Sequence, residues 1–398
     1  MQVDFVTTFG IVEGFPSFPE ATLARALTAD GHTVRALTYY AKSSPMIDAH
    51  HARIDGTVVH RIRRKGLIAP GTLRWIMQNR PDLAHIHHHS NRLSALALPA
   101  YHARGVPVVF SPYGILHDPE LVADTDRPLE APLRTARIQR SLVASARALG
   151  ARHGAFVWAL HRPLFAADAI HAMSEHERRI LIDDLGIPEQ RVHFIPVGID
   201  AGLLAAPHPV ARTDHPTVLY IGQMKYRKGW DVLLRAIPET VRCVPEAQFV
   251  FVGHTGRDRE DFDALARDLG IARWLDLRGR VNEAEKVTLL RSSWVLTLPA
   301  RYEGFGIPLV EAMMCETPVV TTDVPACNEI VEDGATGLRV PPDDPAALAA
   351  ALVRLLRDEQ LRHRLGAAGY MTAMRRYAAP VVARQFERLY ASLADRRH

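Results

Sequence analysis

Short apolar runs alternate with helix-like segments along this chain, and they fall into two sets. The first set is "VDFVTT" (3–8), "TVRALT" (33–38), "LAHIH" (83–87), "VPVVFS" (106–111) and "DAIHAMS" (168–174). The second is "TVLYIG" (217–222), "QFVFVG" (248–253), "LDLRG" (275–279), "WVLTLP" (294–299) and "TPVVTT" (317–322). Strands separated by helices are joined by crossovers, so neighbouring strands run parallel. The helical segments carry their own punctuation. In "EATLARALTAD" (20–30), Leu23 and Leu27 stand one turn apart, and Gly31 sits where a helix C-cap belongs. The pattern predicts an α/β protein with two Rossmann-like, doubly wound parallel sheets.

A chain of 398 residues exceeds what one ordinary core holds. Between the two sets, "APHPVARTDHPT" (206–217) has three prolines and no apolar periodicity, as a linker does. The expected organisation is an N-terminal domain over 1–205 and a C-terminal domain over 206–378, facing each other across a cleft. A terminal helix over 379–398 returns to the N-terminal domain. In open α/β sheets ligands sit outside the carboxyl ends of the strands, so the residues after each strand carry the function.

Charge and cysteine content exclude several classes. A net charge of +4 is far from the concentrated basic face of a nucleic-acid binder. Three cysteines without a C-x-x-C form neither a disulfide framework nor a zinc site, and they suit a reducing cytoplasm. "MQVDFVTTFG" reads as a first strand and not as a signal peptide. No stretch approaches the ~18 uninterrupted apolar residues of a membrane span.

Three strand-end segments in the second half carry chemistry. "GQMKYRKGW" (222–230) combines Gly222 and Gly229 with Lys225, Arg227 and Lys228, the amides and cations a diphosphate needs. A solvated basic turn is the plainer alternative. In "YEGFGIPLVEAMM" (302–314), Pro308 marks a helix start and Gly304 and Gly306 precede it, so the positive helix end is open to an anion. Glu303 and Glu311 flank that seat, and a carboxylate accepts hydrogen bonds from sugar or ribose hydroxyls. For Glu311 alone, complementing the helix dipole is enough. In "GRVNEAEKVTLL" (279–290), backbone at Arg280 and Val281 is placed to read a base edge, and Asn282 with Glu285 forms a capping box.

These segments resemble the donor domain of GT-B-fold, family 4 retaining glycosyltransferases. "EGFGIPLVE" (303–311) matches that family's two glutamates with a phenylalanine-glycine between them, and "TPVVTTDVPACNEIVEDGATGLRVPPDDP" (317–345) and "DAIHAMSEHERRILIDDLGIPEQRVHFIPVGID" (168–200) resemble flanking parts. The resemblance implies metal-independent transfer of a sugar from a nucleotide-diphosphate sugar to a hydroxyl acceptor. The donor is a co-substrate and no cofactor is used. It implies that Glu303 and Lys228 are catalytic, with Glu303 on the donor sugar, Lys228 on the diphosphate and Glu311 on the ribose. The implied donor set is Gly222, Gln223, Arg227, Lys228, Arg280, Val281, Glu303, Gly304, Phe305, Gly306, Ile307 and Glu311. Gln223 stands where the family usually has arginine. An altered donor or an inactive protein is the consequence to weigh, with Arg227 or Lys225 as replacement cations.

The first half supplies the expected acceptor residues Gly14, Phe15, His87, Tyr113 and His117. The loop "FGIVEGFPSFPEA" (9–21) is apolar and stiff; it contacts an apolar acceptor or packs on its own helix. In "AHIHHHSNR" (84–92), His85 and His87 leave a strand on the same side; one histidine is expected to face the cleft and the others solvent. No metal site is expected there. Tyr113 is a poor base near neutral pH, and no general base is assigned. Residues 131–165 hold six arginines and no acid among apolar residues. This segment suits peripheral contact with an anionic membrane; the plainer alternative is that its arginines pair with acids elsewhere. "RIRRKG" (61–66) joins the membrane reading if it shares a face with Trp75. Two D-x-D strings, Asp124–Asp126 and Asp261–Asp263, are read as a polar loop and a helix. The rival functions are a glycoside hydrolase using the two glutamates, a nucleotide-sugar epimerase on a similar fold, and a silent sugar-binding scaffold. The expected location is cytoplasmic, including the inner membrane face.

Overall fold

A computed structural model describes residues 1–7, 11, 17–40, 51–63, 70–88, 92–113, 151–206, 208–254 and 259–395. Gly14, Phe15, His117, Asp124–Asp126 and most of 131–165 lie outside the described residues. The chain divides into two compact units. One runs to Gly198 and takes back 379 onward, and the other holds Ile199–Ala378.

The first unit's strands are β1 (Gln2–Val6), β2 (Thr33–Tyr40), β3 (His51–Ile54), β4 (Thr57–Arg63), β5 (Leu83–His87), β6 (Val108–Ser111), β7 (Ala169–Ala172) and β8 (Val192–Phe194). Their order is β3-β4-β2-β1-β5-β6-β7-β8, parallel except for the β3–β4 hairpin. This unit's helices include α1 (Pro19–Ala29), α2 (Pro70–Gln78), α3 (Arg92–His102) and α4 (Ala151–Ala166). β1 pairs with both β2 and β5, so the winding direction reverses at the β1/β5 junction. The hairpin was not among the expected strands. Its turn, Asp55 (φ 46°) and Gly56 (φ 82°), has the two left-handed positions of a type I′ hairpin. It also removes Arg61 from the basic patch, since Arg61 is buried in β4 with its Nη2 donating to Ile11 O at 3.4 Å; residues 64–66 lie outside the described residues.

The second unit contains β9 (Thr217–Ile221), β10 (Gln248–Val252), β11 (Leu275–Gly279), β12 (Val295–Leu298), β13 (Val319–Thr322) and β14 (Leu338–Val340). Its helices include α5 (Trp230–Cys243), α6 (Arg259–Asp268), α7 (Glu283–Ser292), α8 (Ile307–Met314), α9 (Pro345–Arg357) and α10 (Glu359–Tyr377). All pairings are parallel, in the order β11-β10-β9-β12-β13-β14, and the reversal lies between β9 and β12. α5 buries Trp230, Leu233, Leu234, Ile237 and Val241, the i, i+3, i+4 stripe of an amphipathic helix. α9 and α10 start at Asp344 and Asp358, whose carboxylates accept from Ala347 N and Leu361 N, each at 2.8 Å. Asp261 and Asp263 lie on α6, and Asp263 pairs with Arg259.

α11 (Ala379–Asp395) belongs to the first unit. Its Val382, Phe386, Leu389, Tyr390 and Leu393 share one core with Leu23 and Leu27 of α1. No helix among the described residues is long and apolar enough to cross a membrane.

Candidate functional site

The β9/β12 junction places two loops side by side: 222–229 after β9 and 299–306 after β12. Each ends in a left-handed glycine that opens a helix without a side-chain cap, Gly229 (φ 66°) before α5 and Gly306 (φ 105°) before α8. Such uncapped starts present amide donors and the positive end of the helix dipole.

Strand adjacency brings Lys228 and Glu303 into contact, although they are 75 residues apart in sequence. Both are buried, and Lys228 Nζ donates to Glu303 Oε2. Glu303 Oε1 accepts from Gly304 N at 3.1 Å and lies 3.9 Å from Arg227 Nη1. Burial works to raise the Glu303 pKa, but Lys228 and Arg227 hold it below the ordinary carboxylate value. Arg301, not singled out from sequence, ties the two loops together. Its guanidinium forks onto Asp231 at 2.7 and 2.8 Å, donates to Tyr226 O at 2.6 Å and to Asp343 at 2.6 Å, and covers the Tyr226 ring. Its own amide donates to Arg227 O at 2.8 Å.

Glu311 is also buried, and it sits beyond the first turn of α8, so dipole complementation is not its role. Its Oε1 accepts from Lys286 Nζ at 2.7 Å, and Lys286 reaches Glu283 at 2.9 Å. Burial raises the Glu311 pKa against the pull of Lys286. Lys286 is the second residue that sequence reasoning missed. It is four residues beyond Asn282, which caps α7 by accepting from Glu285 N at 2.9 Å. The Glu285 carboxylate lies 3.5 Å from Arg278.

The remaining donor-set residues are placed unevenly. The Gly222 N–H donates to Val252 O at 2.9 Å. Gln223 is exposed, and its carbonyl accepts from Tyr220 Oη at 3.2 Å. Arg227 points toward the acid, with Nη1 3.5 Å from Tyr302 O. Phe305 is buried against Tyr377, Ile307 opens α8, Arg280 is exposed and Val281 is half-buried just after β11. Gly253, at the end of β10, was overlooked. A Cβ there would stand 1.9 Å from Gly222 O, so only glycine admits this approach.

In the first unit the histidines are not solvated as expected. His85, His87 and His171 are all buried. His171 Nε2 donates to Ile195 O at 2.6 Å, which fixes Nδ1 as an acceptor. Ser111 then donates to Nδ1 at 2.7 Å, His85 Nε2 donates to Ser111 at 2.6 Å, and Tyr390 donates to His85 Nδ1 at 2.6 Å. Every member of this directed chain is neutral. Burial lowers the His171 pKa to about 4 and His85 well below its ordinary value. A neutral buried histidine stabilises fully above its unfolded pKa of ~6.5, and the contribution disappears as pH falls toward the folded value. From pH 7.5 to pH 5, the His171 share of this loss is roughly 2 kcal/mol. Urea unfolding at the two pH values, compared with the same pair for His171→Asn, isolates this share, and an equal pH-dependent loss in both proteins would rule out the neutral chain. Tyr113 (φ 51°) stacks on His87 at 5.7 Å, so these two expected acceptor residues are neighbours.

Comparison with known proteins agrees with this architecture. The model for glycosyl transferases group 1 matches residues 207–372, and that for Glycosyltransferase Family 4 matches 21–203. A phosphatidyl-myo-inositol mannosyltransferase from Mycolicibacterium smegmatis is 31% identical over 394 residues, covering 94% of this chain and 88% of that one. The protein of the same name from Mycobacterium leprae is 38% identical over 227 residues, and the match covers 56% of this chain and only 59% of that relative's length. The fold is also that of HepE from Anabaena, solved with UDP and glucose: TM-score 0.74 at 17% identity, covering 98% of this chain and 100% of the other.

Proposed function

This chain belongs to the group 1, family 4 glycosyltransferases, and we propose that it moves a sugar from a nucleotide diphosphate to a hydroxyl of a carbohydrate or lipid-linked acceptor. The observation that carries the reading is the buried Lys228–Glu303 pair beside two uncapped helix starts. A bound diphosphate draws Lys228 onto its oxygens and frees Glu303 to accept from sugar hydroxyls. As the glycosidic bond breaks, the diphosphate gains negative charge, and Lys228, Arg227 and the helix amides stabilise it. Arg227 supplies the cation absent at Gln223. In this reading the charge is met without a metal ion, the anomeric configuration is retained, and Glu311 with Lys286 holds the ribose end. The relatives' names and the HepE complex with UDP-glucose support a nucleotide-sugar donor and a polyol or lipid-linked acceptor. Contact of the basic 131–165 segment with the cytoplasmic face of a membrane gives a lipid-linked acceptor its access.

A thermal-shift panel of UDP-, GDP-, ADP- and TDP-sugars tests the donor half. One of them, at one hundred times its dissociation constant, adds ~2.7 kcal/mol of stability, or several degrees. No shift with any donor would contradict the reading.

A further inference from the structure

The first unit's sheet has its own reversal, at β1/β5, and a second buried glutamate sits there. Glu20, at the start of α1, is fully buried. Its Oε1 accepts from Thr7 Oγ1 at 2.9 Å and contacts His88 Nε2 at 2.5 Å. Its Oε2 is buried with no hydrogen-bond partner among the described residues. His87, at the end of β5, is equally buried, and both of its ring nitrogens lack partners. Glu20 and His87 are close enough for each to influence the other's proton affinity. An unpaired buried polar atom carries a penalty of ~1–3 kcal/mol, so three in one place imply a compensating ligand.

Backbone strain concentrates at the same place. His88 (φ 70°) and Tyr113 (φ 51°) are left-handed residues other than glycine at the ends of β5 and β6. Tyr113 lies against both His87 and His88 and is itself half-buried. A narrow opening lined by Pro19, Thr22, Tyr113, His171 and Phe386 borders the same ring.

We propose that Glu20 Oε2 and the two ring nitrogens of His87 bind neighbouring hydroxyls of a neutral polyol, the acceptor's sugar-like part, once the Tyr113 ring is displaced. The chemistry selects this ligand. Oε2 only accepts, so it needs an O–H or N–H. A neutral imidazole offers one donor and one acceptor on diverging edges of its ring, which two different hydroxyls satisfy, one accepting and one donating. A phosphate at this position would bring its charge against an ionised carboxylate and is excluded. The inference rests on the transferase reading and assigns its acceptor side.

The test uses the full chain and ligand-observed NMR, with myo-inositol, D-mannose, D-glucose and their monophosphates as probes. A neutral polyol should bind. Glu20→Gln, which keeps an oxygen for Thr7 and His88, and His87→Phe, which keeps the ring, should each weaken binding at least ten-fold. Neither should alter the nucleotide-sugar thermal shift. Unchanged polyol affinity in both variants, binding of phosphorylated sugars only, or binding of no neutral polyol overturns the proposal. Absence of any nucleotide-sugar shift in the unaltered chain sinks the donor reading instead, and leaves the polyol arm to decide this one. If Glu20→Gln fails to fold, His87→Phe decides.

Discussion

Lys228→Ala is expected to cut turnover by ~10²–10³-fold and to destabilise the second unit by ~3–5 kcal/mol. Both effects have one origin. Lys228 is the principal countercharge of the buried Glu303, and in the proposed reaction it moves onto the leaving diphosphate. Removing it leaves an uncompensated carboxylate in the apo protein and an unneutralised charge in the transition state. The two consequences separate in a second variant. Lys228→Met with Glu303→Leu replaces the pair by apolar side chains of similar volume, which is commonly neutral or stabilising. It should recover most of the lost stability and none of the activity. The measurement is urea unfolding beside turnover with the donor found in the thermal-shift panel. Activity surviving in Lys228→Ala, or returning in the double variant, would remove Lys228 from the mechanism.

The pairing itself illustrates what a sequence discloses. Apolar runs located every strand of the second sheet except β14, and the glycine-flanked glutamates were visible as a motif. What brings Lys228 to Glu303 is the reversal of strand order between β9 and β12, a property of topology and not of either segment. Arg301 and Lys286 were overlooked for a related reason. Both look like ordinary surface cations, and only the contacts with Asp231 and Glu311 reveal their work. The histidines show the converse. Their period-two spacing put His85 and His87 on one side of β5, where their rings lie 4.0 Å apart. Their burial was illegible, because Tyr390 reaches His85 from 305 residues away. The β3–β4 hairpin was different again, since Asp55-Gly56 between alternating apolar residues is a strong local signal that went unused. Glu20 escaped notice as a first-turn acid of an amphipathic helix, a position where an acid ordinarily needs no further reason.

Gly229→Ala should be the most damaging single-methyl change at the proposed donor site. A Cβ on Gly229 would lie 1.8 Å from Pro299 O and 2.8 Å from its carbonyl carbon, and those are backbone atoms of the loop that carries Glu303. The residue is also left-handed, at φ 66°. The conformation alone costs an alanine ~1–2 kcal/mol, and forcing the two loops apart adds ~1–3 kcal/mol. Gly270 separates these contributions. It has the same φ of 66°, with nothing within 4 Å of an added Cβ. Gly270→Ala should therefore show only the conformational part. Gly229→Ala should fall further by several degrees and lose the nucleotide-sugar shift, because the clash displaces Lys228 from Glu303. If the two alanine variants melt alike and both still bind donor, the close approach of the loops after β9 and β12 does not build the site.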